Sequence, residues 1–67
     1  MQLRIGIAEA AHRELVIDLP PQEAADAVTQ RLSDAAAFGS GVVWFVDRHG
    51  RRFGVPFQRI NYIELSP

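Results

Sequence analysis

Residues 42–57 read VVWFVDRHGRRFGVPF, and the fold turns on this stretch. Its first five residues are all β-branched or aromatic, the composition of a strand. Asp47, Arg48, His49 and Gly50 follow as a turn, with aspartate first and a glycine able to take positive φ last. Over residues 51–57, Phe53, Val55 and Phe57 alternate with other residues, which predicts a second strand. Pro56 cannot donate to a ladder, so the end of that strand lies at an edge or in a bend. Strand, tight turn and strand make an antiparallel hairpin.

Working outward, residues 2–8 alternate, with Leu3, Ile5 and Ile7 on one face and Gln2, Arg4 and Gly6 on the other. After a loop at residues 9–12, Leu15, Ile17 and Leu19 alternate with Glu14, Val16 and Asp18, giving another antiparallel hairpin of open turn type. Pro20 and Pro21 end that strand and are tolerated in a helix's first turn. Residues 22–37 are rich in alanine and predict a helix, with Glu23 and Asp26 near its positive end. Ala25, Val28, Leu32 and Ala35 form one apolar stripe. Gly39, Ser40 and Gly41 stop the helix. Residues 60–65 form a last strand, with Ile63 and Leu65 facing one way and Tyr62 and Glu64 the other. The expected fold is a single α+β domain over residues 1–67. Its antiparallel sheet runs in β-β-α-β-β-β order, with one amphipathic helix packed on one face.

A chain of 67 residues buries only about 60% of its unfolded surface, so stability is modest without a staple. It has no cysteine, which excludes disulfides and thiolate metal sites, and its two histidines, His12 and His49, are too few for a metal centre unless carboxylates join them. Self-association is the staple that remains. The net charge of −1 favours no class of partner, and every basic residue is arginine. No signal peptide is expected from the opening residues, and the longest apolar run, residues 42–46, falls far short of a membrane span of about 20 residues. A cytoplasmic protein without membrane contact is expected.

One helix covers one face of a sheet, yet residues 42–46 are apolar on both faces. Leu3, Ile5, Ile7, Leu15, Ile17, Leu19, Phe53, Val55, Ile63 and Leu65 form the inward set facing Val28 and Leu32. Either Val43 and Phe45 join it and Val42, Trp44 and Val46 point out, or the reverse holds. Strands apolar on both faces are normally covered on both. Burying a tryptophan and two valines is worth several kcal/mol at about 25 cal/mol per Å². The last strand or a loop could supply the cover, or a partner could.

Chemistry is sparse. Ser40 between Gly39 and Gly41 follows a helix and precedes a strand, the reverse of a nucleophile elbow. The same glycines lie at a helix C-terminus, where the dipole repels phosphate. No enzyme, cofactor or metal is expected. The leading expectation is a self-associating protein-interaction module, a homo-oligomer that also docks on another protein. Val42, Trp44 and Val46 form its apolar interface, Tyr62 lies beside them, and Arg48, Arg51 and Arg52 supply polar contacts. The alternative is a small RNA- or DNA-binding protein using the arginine-rich tip and the sheet aromatics. It ranks lower because the chain is slightly acidic.

The opening MQLRIGIAEAAHRELVIDL (residues 1–19) and the closing VDRHGRRFGVPFQRINYIEL (residues 46–65), with an amphipathic helix between them, resemble the small actinobacterial proteins grouped as domain-of-unknown-function family 3107. The most specific part is the turn at residues 47–50 followed by Arg51, Arg52 and Phe53, then Ile60, Tyr62 and Glu64. The resemblance implies a cytoplasmic actinobacterial protein and supplies no catalytic residue or cofactor.

Overall fold

A computed structural model describes residues 1–8, 13–39 and 41–67. The loop expected at residues 9–12, with His12, and Ser40 in the helix stop lie outside the described residues. The elements run β1 (Gln2–Ile7), β2 (Glu14–Asp18), α1 (Ala25–Phe38), β3 (Val42–Val46), β4 (Arg52–Pro56), a 3-10 turn (Phe57–Arg59) and β5 (Ile60–Ser66). This is the α+β class and the element order that the alternation predicts. All strand pairs are antiparallel, but the strands divide between two sheets, β2-β1-β5 and β3-β4. The hairpin does not extend the larger sheet. It packs its inner face on the same core, and α1 packs on β3.

The helix begins at Ala25, three residues later than expected, and Pro20 and Pro21 are not in its first turn. The cause is a turn in which the Glu23 amide donates to the Pro20 carbonyl at 3.0 Å. Ala24 is therefore the N-cap, in extended conformation and with no side-chain cap. Glu23 sits before the helix and pairs with Arg31 at 2.8 Å. At the other end Gly39 adopts φ 68°, and its N–H bonds the carbonyls of Ala35 and Ala36. Only glycine takes that left-handed backbone without a steric cost, so the helix stops there.

Leu3, Ile5, Ile17, Leu19, Val28, Val43, Phe45 and Val55 are buried, with Ile7, Leu15, Leu32, Phe53, Ile63 and Leu65 packed against them. The expected inward set is thus the core. In β3 it is Val43 and Phe45 that point inward. Of the helix stripe, Val28 is fully buried, Leu32 and Ala35 lie at the rim, and Ala25 is exposed.

Candidate interaction face

The hairpin is held by its turn. Asp47 is 2% exposed, the one buried charged residue among those described. Its Oδ1 accepts the amides of His49 at 2.9 Å and Arg51 at 2.8 Å, and its Oδ2 accepts Arg51 Nε at 2.6 Å. Burial alone raises the Asp47 pKa. The Arg51 amide, the Arg51 guanidinium, the His49 amide and the Arg51 charge outweigh that, and the carboxyl titrates below its ordinary 3.8. Gly50 closes the turn at φ 84°, donating to the Asp47 carbonyl at 3.1 Å. β4 therefore starts at Arg52, because Arg51 is drawn into the turn.

With Val43 and Phe45 facing the core, Val42, Trp44 and Val46 all face away. They are 51%, 59% and 44% exposed. In register with them across the hairpin stand Pro56, Gly54 and Arg52. The indole lies over Gly54, where a side chain would collide with it, and Trp44, Val46 and Arg52 line one open depression. Neither β5 nor a described loop folds over the indole. Arg52 and Arg48, the latter exposed in the turn, make no ion pair among the described residues.

Two expected members stand apart from this face. Tyr62 is not beside Trp44: it belongs to β5, in the other sheet, on the face opposite its core. Its ring covers Gly6 and its hydroxyl donates to Glu14 Oε2 at 2.5 Å. That hydrogen bond, then desolvation and the charges of Glu14 and Glu64, raise its pKa above 10.0, against the opposing charge of Arg4. Arg51 is committed to Asp47, and its guanidinium also lies 5.9 Å from the Phe53 ring centroid. The arginines at the tip thus have different roles.

Phe38, absent from the expected site, is 84% exposed in the last turn of α1, four residues before Val42. The signal was present in the sequence, since an aromatic directly before a helix-stopping glycine has no following turn to cover it. A separate open cleft of about 310 Å³ is lined by the apolar Ile7, Leu15, Val55 and Pro56 together with Arg13, Glu14 and Arg59. Among the described residues no group of three or more His, Cys, Asp or Glu could hold a metal ion. No described helix is long and apolar enough to cross a membrane.

The family described as protein of unknown function (DUF3107) matches residues 1–67. This chain belongs to the DUF3107 family. No curated protein matches it. The exposed hairpin face is therefore a feature of a DUF3107 chain whose family description names no activity.

Proposed function

We propose that this chain is a non-enzymatic interaction module of the cytoplasm that packs the outer face of its hairpin against a second copy of itself. The observation that carries this reading is the row Val42, Trp44 and Val46, each roughly half exposed on a strand whose other face is core. A small domain without disulfides gains most from covering such a row. A two-fold axis does so with one patch used twice, the commonest arrangement of soluble oligomers. A standard interface buries about 800 Å² per partner, roughly a sixth of the 4685 Å² surface. Two five-residue strands present less than that, so the association is weak. A homo-oligomer of this kind leaves room for docking on a further protein.

Sedimentation velocity over a concentration series tests it. The sedimentation coefficient rises with concentration for the native chain, and Val46→Glu reduces that rise. The variant keeps its fold, because Val46 faces solvent opposite Arg52, with which glutamate can pair. A coefficient independent of concentration, or one unchanged by Val46→Glu, overturns the reading.

Nucleic-acid binding is the second reading, favoured by Arg52 beside an exposed indole. It is weakened because Arg51 is held by Asp47 and because Phe53 and Phe57 are half-buried. Binding of single-stranded RNA that falls steeply with salt would support it over the first.

A further inference from the structure

The two sheets have four outer strands: β2 and β5 in one, β3 and β4 in the other. An open edge presents unpaired N–H and C=O groups to any other chain, and native folds blunt it. Three of these edges are each blunted at one position. On β2, the Arg48 amide of the hairpin turn donates to the Asp18 carbonyl at 2.8 Å. On β3, the Arg31 guanidinium reaches the Trp44 carbonyl at 3.4 Å. On β4, Pro56 has no N–H at a position whose backbone points away from β3, since the flanking Phe57 amide is the one that bonds Gly41.

Among the described residues the edge of β5 has none of these contacts, although at seven residues it is the longest strand, and its ladder with β1 shifts register between Gly6 and Ile7. Which groups it exposes follows from the ladder. The Leu19 amide bonds the Met1 carbonyl and the Ile7 amide bonds the Arg13 carbonyl, so the odd-numbered residues of β1 serve β2 and the even-numbered ones serve β5. Their partners Tyr62, Glu64 and Ser66 are spent on β1. The backbone groups of Ile63 and Leu65 point outward, and among the described residues no backbone hydrogen bond reaches them. Their side chains are only half-buried, at the margin of the core.

We infer that β5 pairs antiparallel with β5 of a second copy across a two-fold axis at Ile63, joining the larger sheets into one of six strands. The register is set by charge and by proline. Centred on Ile63, the pairing joins the outward groups of Ile63 in the two copies, sets Leu65 opposite Asn61 at the register shift, and sets Glu64 opposite the partner's Tyr62. Centred on Glu64, it would place two carboxylates face to face, which destabilises an antiparallel pair. Centred on Leu65, it would oppose Ile63 to Pro67, which has no N–H to give. Ile63 meets its own copy on the inner face, so the margins of the two cores become continuous. This contact is independent of the hairpin face. With both, the chain forms a closed tetramer or an open row of alternating two-folds.

Amide hydrogen exchange on the full chain, with sedimentation in parallel, tests it. At high protein concentration, exchange at Ile63 and Leu65 slows about tenfold relative to dilute protein. The slowing persists in Val46→Glu, which sediments as the β5-paired dimer. Leu65→Pro, which removes an outward N–H while leaving the bonds to β1 in place, abolishes the slowing at Ile63 while its thermal unfolding remains cooperative. If the native chain associates but Ile63 and Leu65 exchange at one rate at every concentration, the edge pairing is wrong and the hairpin reading stands. If Val46→Glu leaves association and protection untouched, the hairpin reading fails and the edge pairing stands. A chain that neither associates nor gains protection overturns both.

Discussion

The indole of Trp44 lies across the backbone of Gly54, its register partner on β4, so closely that a Cβ at Gly54 would come within 2.8 Å of the ring. Tyr62 covers Gly6 in the same way in the other sheet. Each outward aromatic therefore shields a strand glycine, which otherwise weakens a sheet by leaving its backbone bare. Trp44 is part of the hairpin's structure as well as of its exposed face. For that reason Val46 is the better residue to alter when testing association.

Gly54→Ala destabilises the hairpin by about 1–3 kcal/mol, as overpacking does, because the ring must leave its seat. The backbone at Gly54 is not left-handed, so the cost is contact alone. Urea denaturation measures it, and unchanged stability would show that the indole does not rest there.

Gly6→Ala costs at least as much, about 2–3 kcal/mol. Gly6 is buried under a ring that cannot swing away freely, because the Tyr62 hydroxyl is tied to Glu14. The same denaturation experiment ranks the two variants, and a milder effect at Gly6 would contradict the anchoring.

Tyr62 is the one tyrosine of the chain, so its ionisation can be followed directly by ultraviolet absorbance. Its midpoint lies above 10.0, chiefly because the phenol donates to Glu14. A pKa raised by folding stabilises the fold fully below the unfolded value, and that contribution is lost as pH rises through the folded value. Glu14→Gln brings the midpoint back toward 10.0 and flattens the alkaline loss of stability.

The Asp47 carboxyl behaves in the opposite sense. Its folded pKa lies below 3.8, so its stabilisation is complete above that value and disappears as pH falls through the lowered one. Asp47→Asn leaves one acceptor but turns an NH₂ toward the Arg51 guanidinium. Its melting temperature falls by several degrees at neutral pH, and the gap to the native chain narrows in acid. A gap constant across acid pH would mean that Asp47 is not ionised in the fold.

Arg31 joins α1 to β3: it pairs with Glu23 at 2.8 Å, reaches the Trp44 carbonyl and lies 5.6 Å from the Phe45 ring centroid. Arg31→Ala lowers stability by about 1 kcal/mol, since the pair is partly exposed and the ring contact modest. Arg31→Lys recovers less than half, because a point charge cannot meet the three partners at once. Denaturation of both variants checks the order.

The elements and their order can be read from short stretches of the chain. Alternation at Leu3, Ile5 and Ile7, the stop at Gly39 and the turn from Asp47 to Gly50 are local signals, written within a few residues of where they act. The core was legible for the same reason, since strands with one apolar face leave no choice. Long-range packing settles which way β3 faces, that its hairpin forms a second sheet, and that Tyr62 and Trp44 lie in different sheets. It also settles that Arg51 is spent on Asp47 and that, among the described residues, no contact blunts the edge of β5. A strand apolar on both faces carries no local preference between them, and an edge is defined by what does not lie beside it. Both depend on residues far away in the chain, whose positions are fixed only once the whole core has packed.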